Sequence, residues 1–389
     1  MTDESITGNF NYPTDYAIGA GRVRELSSAC TKLGISRPLI VTDSGVTALH
    51  WFDTRQSLSD KALVARVFSD VDSNPPLEHV NAGIAAFKDN HADGCILPGG
   101  GSAMDTGKCI MLLADNPGTL FDSEDVGDNW KRADSARIAP SIAIPTTAGT
   151  GSEVGRAAVI VDPDDQGKKI IFHPRMHPDL VLADPELTVG LPPRLTAATG
   201  MDALAHCFEA FCAPAYHPMA DGIALEGMRL IANNLVVAFD DGDNITARTH
   251  LLMAASMGAT AFQKGLGLIH ALSHPLAGLT GVHHGTANAI FHPYAMVHNR
   301  EVIAARMPRI ARTIGLTNER FEGVLQWILD LRERLELPHT LAKILDPKLI
   351  PRLVPMAMAD PSLLTNPKPC TGKDLERVLS KALSGDLTQ

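Results

Sequence analysis

The chain reads as an α/β domain built on a parallel sheet over residues 1–190, followed by an all-helical domain over residues 191–389. Three observations predict this. Short apolar β-type runs alternate with helical segments in the first half, and strands alternating with helices imply a parallel sheet covered on both faces. The second half is filled by long stretches rich in Ala, Leu and Met, with little β-branched patterning. Between them, Leu191-Pro192-Pro193 makes a natural junction, because a residue before proline disfavours helix.

Taken in order, the expected strands are Pro-Leu-Ile-Val-Thr-Asp at 38–43, Ala-Leu-Val-Ala-Arg-Val-Phe at 62–68, Asp-Gly-Cys-Ile-Leu-Pro at 93–98 and Ile-Ala-Ile-Pro-Thr-Thr at 142–147. Beyond residue 191, Ala224 to Asn234 and Thr246 to Phe262 predict helices, as do the segments around His206 and His270. A length of 389 residues exceeds what one core normally fills, so two domains are expected. The balance of 45% hydrophobic and 20% charged residues is that of a globular protein, and no apolar run reads as long enough to cross a bilayer. The opening Met1 to Phe10 is acidic where a secretory signal would be basic and then apolar, which places the protein in the cytoplasm. A net charge of -10 without a basic stripe argues against nucleic acid and anionic membrane as partners and leaves a small molecule. Cys30, Cys95, Cys109, Cys207, Cys212 and Cys370 form no Cys-x-x-Cys pair and read as reduced thiols, with Cys207 in packed core.

The chemistry-bearing residues of the helical half are Asp202, His206, His270 and His284. Asp202 and His206 are four apart in Met-Asp-Ala-Leu-Ala-His-Cys-Phe-Glu, which stacks carboxylate and imidazole on one helix face. His270 opens a second helical run and His284 follows in His-His-Gly-Thr-Ala-Asn-Ala. A single helical histidine is more often a hydrogen-bonded core or surface residue, but this combination has the composition of one divalent-metal site.

In the first half, Ile96-Leu97-Pro98-Gly99-Gly100-Gly101-Ser102 runs from a buried strand through three glycines into a helix. Backbone amides at such a helix start suit a pyrophosphate, although the spacing is neither Gly-x-Gly-x-x-Gly nor a Walker loop. The alternative is a glycine turn that packs helix on sheet. A second polar glycine loop, Pro145-Thr146-Thr147-Ala148-Gly149-Thr150-Gly151-Ser152-Glu153, also follows a strand. Asp43 ends the 38–43 strand, where an acid accepts hydrogen bonds from an adenosine ribose; an ordinary helix N-cap is the competing role. Together these predict a Rossmann-like dinucleotide-binding domain.

Gly-Gly-Gly-Ser-x-x-Asp, Pro-Thr-Thr-Ala-Gly-Thr-Gly-Ser-Glu, Asp-Ala-Leu-x-His, His-x-x-x-His-Pro-Leu-Ala-Gly and His-Gly-x-x-Asn-Ala occur in this order, and the chain resembles the iron-containing (group III) alcohol dehydrogenase family from about residue 10 to Asn366-Pro367-Lys368. The resemblance implies metal ligands Asp202, His206, His270 and His284, with His274 close to the substrate. It also implies a cofactor lying along Asp43, Asn74, Gly100, Gly101, Ser102, Asp105, Thr146, Thr147, Ser152, Lys169 and Leu191. The implied cofactors are NAD ahead of NADP and a divalent metal, iron ahead of zinc. The implied partner, besides a small alcohol or aldehyde, is a second copy of the chain in a homodimer or larger homo-oligomer. Where many members carry Phe-Ser-Asn before the His270 helix, this chain has Ala261-Phe262-Gln263-Lys264, so its substrate is expected to differ from their simple alcohols.

Hydride transfer between a primary alcohol and NAD follows as the expected function, with the metal residues facing the sheet domain across a crevice. His274, one turn after His270, is expected to relay the alcohol proton or to act as an outer hydrogen-bonding residue. Arg156 and Lys264 are expected to recognise an acidic group on a short ω-hydroxy acid, with simple primary alcohols as the alternative. Competing functions are a metal- and NAD-dependent lyase or cyclase resembling dehydroquinate synthase, and a catalytically silent nucleotide-binding protein.

Overall fold

The computed structural model describes residues 8–11, 14–49, 63–164 and 167–388. The expectation drawn from Met1 to Thr7, and Ala62 of the expected second strand, lie outside these residues. Two compact units emerge, one of Met1–Thr147 with Gly151–Val189 and one of Ala148–Thr150 with Gly190–Gln389.

The first unit is built on a seven-stranded sheet in the order β1-β2-β9-β6-β5-β3-β4. Its strands are β1 (Gly8–Asn11), β2 (Asp15–Ile18), β3 (Pro38–Val41), β4 (Arg66–Phe68), β5 (Gly94–Gly99), β6 (Ser141–Pro145) and β9 (Leu180–Ala183). β1 and β2 pair antiparallel and the remaining neighbours are parallel. Every residue of β5 and β6 is buried, the pattern of central strands covered on both faces. β7 (Ala157–Val161) and β8 (Lys168–Phe172) form a separate antiparallel ribbon. One core of this unit joins Ala17, Ile40, Ile96, Ile142 and Leu182 from the sheet to Leu26, Ala29 and Cys30 from the Leu26–Leu33 helix.

The strand order reverses beside β3: the chain goes from β3 outward to β4, then returns to add β5 on the other side. In open parallel sheets, the carboxyl ends of strands at such a reversal frame a ligand crevice. Asp43 follows β3 and Gly99-Gly100 closes β5, so both stand at that edge.

The second unit is helical. Its long helices Pro193–Cys212, Pro218–Asp240, Ile245–Ala261, Leu268–Thr280 and His284–Ile303 enclose one core that includes Met201, Leu204, Phe211, Met228, Ile231, Leu272 and Phe291. Pro218–Asp240 is long and apolar enough to cross a membrane by length and composition, which corrects the expectation that no run reaches that length. Its Ala224, Met228, Ile231 and Leu235 are instead fully buried in the helical core. All six cysteines are free thiols. Cys207 is buried, and burial pushes its thiol up to about 12, as an inert core residue requires.

Candidate active site

Asp202 and His206 project from one face of Pro193–Cys212, His270 lies in the first turn of Leu268–Thr280, and His284 opens His284–Ile303. His206 Nε2, His270 Nε2 and His284 Nε2 stand 3.8, 3.7 and 3.5 Å from Asp202 Oδ1. These separations are too long for hydrogen bonds. They are what a shared ion requires, since ligands about 2.1 Å from a tetrahedral centre lie about 3.4 Å apart. Ligand atoms of Asp202, His206 and His270 all lie within 4.8 Å of one another, and all three residues are buried. The buried Asp202, His206 and His270 fit a divalent metal, and the partly exposed His284, with Nε2 3.5 Å from Asp202 Oδ1, stands where a further ligand could come from.

The electrostatics agree. Burial raises the Asp202 pKa, but His206, His284 and His270 outweigh it and hold the carboxyl well below its usual range. Burial pushes His206 down to about 4, against the pull of Asp202. Burial also opposes charge on His270, yet Asp202 and Glu209 together lift it to about 9.

Two residues outside the expected set orient the ligands. Glu209 Oε2 lies 2.6 Å from His270 Nδ1, and Oε1 accepts the Ile269 amide at 2.7 Å. The imidazole thus donates from Nδ1 and leaves Nε2 as its ligand atom. Asn288 Nδ2 donates to Asp202 Oδ1 at 2.7 Å and lies 3.1 and 3.3 Å from the Nε2 atoms of His284 and His270. Asn366 accepts the Leu268 amide at 3.1 Å, so the Asn-Pro-Lys segment holds the start of the helix that carries His270 and His274. Helical spacing contained the signal for Glu209, seven residues after Asp202 on the same face, and for Asn288, four after His284.

His274 stacks on His284 with ring centroids 5.1 Å apart and meets His270 edge-on at 5.7 Å. Its Nδ1 lies 2.8 Å from Asp360 Oδ2.

Lys264 is placed differently from expectation. Its ammonium is fully buried, donating to Asp221 Oδ1 at 2.5 Å and to the Phe211 carbonyl at 3.2 Å, so its charge is answered inside the protein. Arg156 belongs to the sheet unit, where its guanidinium lies 5.7 Å from the Phe172 ring centroid.

In the sheet unit, Gly100 is the N-cap of Gly101–Leu113. A Cβ at Gly99 would come within 2.6 Å of Ala103 Cβ, which leaves no room for a side chain there, and one at Gly100 would stand a tight 3.2 Å from Thr147 Oγ1. A Cβ at Gly107 would meet Leu97 at 2.2 Å, which makes that glycine a helix-on-sheet packing residue. Asp43 caps Ser44–Thr47 by accepting the Val46 amide at 2.9 Å, and its Oδ2 lies 3.8 Å from where a Gly99 Cβ would stand. Acid and glycine turn are therefore neighbours. Ser102 Oγ donates to Ser73 O at 2.9 Å, which brings the loop carrying Asn74 to the same turn. Thr146 donates its amide to Gly99 O. Asp105 accepts from Ser152 Oγ at 2.5 Å and from the Val159 amide at 2.9 Å, tying the helix to the second glycine loop. Lys169 Nζ is 3.9 Å from Asp162 Oδ2 on the β7–β8 ribbon. Leu191 groups with the helical unit, and its carbonyl lies 3.4 Å from both Thr196 Oγ1 and Arg248 Nη2.

A sheet unit with a glycine turn at its strand-order reversal, and a helical unit with a cluster of one aspartate and three histidines, define a metal-dependent dehydrogenase. Residues 13–185 match the family described as iron-containing alcohol dehydrogenase, and residues 196–383 match its C-terminal part. The chain belongs to this family. It is 39% identical over 96% of its length to 4-hydroxybutyrate dehydrogenase of Cupriavidus necator, covering 99% of that protein. It is 35% identical over 92% of its length to choline dehydrogenase of Bacillus subtilis (strain 168), covering 91% of that protein. Its fold matches sulfoacetaldehyde reductase from Bifidobacterium kashiwanohense in complex with NAD+ with a TM-score of 0.87 and 28% identity, covering 98% of this chain and 100% of that one.

Proposed function

We propose that the protein is an iron-dependent, NAD-linked dehydrogenase of primary alcohols, with a short ω-hydroxy acid and its semialdehyde as the substrate pair. The observation that carries this reading is the placement of the Nε2 atoms of His206, His270 and His284 within 3.8 Å of Asp202 Oδ1. When bound there, a divalent ion supplies the Lewis acidity that makes an alcohol O–H easier to ionise, and the nicotinamide supplies the hydride acceptor.

The remaining work belongs to the chain's own residues. Glu209 and Asn288 hold His270 and Asp202 in their donor orientations. His274 takes the hydroxyl proton. Asp43 would accept hydrogen bonds from the adenosine ribose and repel a 2'-phosphate, favouring NAD over NADP. The Gly99 to Ser102 turn and the amides at the start of Gly101–Leu113 would seat the pyrophosphate, beside Asn74, Thr146 and Thr147.

An acidic substrate is supported by similarity to proteins named for 4-hydroxybutyrate and sulfoacetaldehyde. Choline, the cation named for another relative, is the opposing case. Anion recognition on this reading does not use Lys264, whose charge Asp221 satisfies. The test follows NADH absorbance with metal-reconstituted protein against 4-hydroxybutyrate, butanol and choline, each with ferrous iron or zinc. The expected result is the highest kcat/KM for the hydroxy acid, with iron restoring activity lost in aerobic purification. Preference for butanol or choline would contradict the substrate assignment, and equal activity with zinc alone would contradict the iron assignment.

A further inference from the structure

Asp360 sits where the Ile350–Ala359 helix ends and the Pro361–Thr365 turn begins. Its Oδ1 caps that turn by accepting the Ser362 amide at 2.9 Å. Its Oδ2 is committed elsewhere, 2.8 Å from His274 Nδ1. The two side chains are 11% and 18% exposed, so water competes little for this bond. Burial raises the Asp360 pKa, but His274 and the Ser362 bonds outweigh it and hold the carboxyl below its ordinary value. A carboxylate can only accept, so a neutral His274 facing it must carry its proton on Nδ1, and the ring's remaining acceptor is Nε2. Stacking on His284 fixes the ring plane as well.

We propose that Asp360 is a positioning residue that locks His274 in the Nδ1-protonated tautomer, leaving the Nε2 lone pair to take the hydroxyl proton of the alcohol. This rests on the reading that His274 receives that proton. In the oxidation, the substrate O–H bond breaks and its proton forms an N–H bond at His274 Nε2. The oxygen's electron pair becomes the second C–O bond of the aldehyde, and the carbon's hydride passes to NAD. Reduction runs the same steps backwards, with Nε2 returning the proton.

Asp360→Asn separates tautomer control from structure. Asparagine is a strong N-cap, so the bond from the Ser362 amide survives, while the side-chain amide now donates to His274 Nδ1 and moves the ring proton to Nε2. Asp360→Ser also keeps a capping oxygen but cannot reach His274, so both tautomers become accessible. The lock therefore predicts that Asn is the more damaging change: kcat should fall by about 100-fold in Asp360→Asn and by about 10-fold in Asp360→Ser, the range of lost general acid–base catalysis. Bound metal per chain and KM for NAD should stay within about twofold of wild type. A merely structural role predicts the opposite order, because Asn is closer to Asp in shape.

A second readout needs no turnover. In zinc-loaded protein labelled with nitrogen-15 histidine, with the His274 signals assigned by their loss in His274→Gln, Nδ1 should be the protonated nitrogen in wild type and Nε2 in Asp360→Asn. Unchanged kcat in Asp360→Asn, a larger loss in Asp360→Ser, loss of metal in step with activity, or an unchanged His274 tautomer would each overturn the lock. Wild-type protein that shows the Nδ1 tautomer, holds metal and NAD, but oxidises none of the alcohols would instead overturn the proposed function.

Discussion

His270 answers to two carboxylates at once, with Asp202 beside Nε2 and Glu209 on Nδ1. In the metal-free protein they raise its pKa to about 9, so near neutral pH it carries a proton that an incoming ion must displace. The sign is fixed by this competition: metal affinity rises with pH up to about 9, and binding near neutral pH displaces the His270 proton. Calorimetric titration of the ion in buffers of different ionisation enthalpy detects that release, and buffer-independent heats would contradict it. Glu209→Gln should weaken metal binding by roughly 10–100-fold without unfolding the chain, the usual cost of losing an outer partner of a histidine ligand; an unchanged metal Kd would show that Glu209 serves only the Ile269 amide. Lys264→Ala leaves Asp221 without its buried partner and should cost about 3 kcal/mol of stability, read as a lower Tm, with the ratio of acidic to neutral substrate turnover unchanged. Selective loss of acidic substrates at normal Tm would restore Lys264 to the site.

The same residues show what sequence can and cannot carry. Asp202 and His206 were legible because a four-residue offset on a helix fixes their neighbourhood regardless of the rest of the fold. Glu209 obeyed the same periodicity, but a helical glutamate ordinarily faces water and gave no reason to single it out. Asp360 carries no such signal. It lies 86 residues from His274 in sequence, and the packing of the Ile350–Ala359 helix and the Pro361–Thr365 turn on Leu268–Thr280 brings the two together. Lys264 lies six residues before His270 in sequence, a proximity that does not reveal that its side chain turns into the Asp221 contact.

Among the elements, three of the four strands read from sequence, β3, β5 and β6, are fully buried, while the fourth, β4, is an exposed edge strand. β5 and β6 are short continuous apolar runs, the pattern that central parallel strands require. β2 and β9 have four residues each, and their pairing, Asp15 to Ile18 against Leu180 to Ala183, is set by contacts far apart in the chain. The β7–β8 ribbon was likewise not anticipated. Asp43 at the end of β3 performs the helix-capping role and also stands beside the glycine turn, so the two readings of this residue are compatible. Asp43→Gly tests the cofactor role cleanly, because glycine is itself a tolerated N-cap and costs only a few tenths of a kcal/mol there. The ratio of kcat/KM for NAD to that for NADP should fall by about 10-fold or more on loss of charge repulsion and ribose bonds. A wild-type preference for NADP, or an unchanged ratio, would place the ribose elsewhere.

For the whole molecule, membership of the iron-containing alcohol dehydrogenase family joins a sheet unit with a nucleotide-type edge to a helical unit that gathers one aspartate and three histidines. In the proposed function this cluster holds the ion on which alcohol oxidation depends. The most direct measurement compares wild type with His270→Ala after chelation and reconstitution in otherwise metal-free buffer, recording metal per chain, NAD binding and NADH formation on the same samples. Expected are about one ion per wild-type chain, little or none in His270→Ala, retained fold and NAD affinity in both, and turnover in wild type alone. Normal turnover by the variant, or loss of turnover with its metal intact, would contradict it.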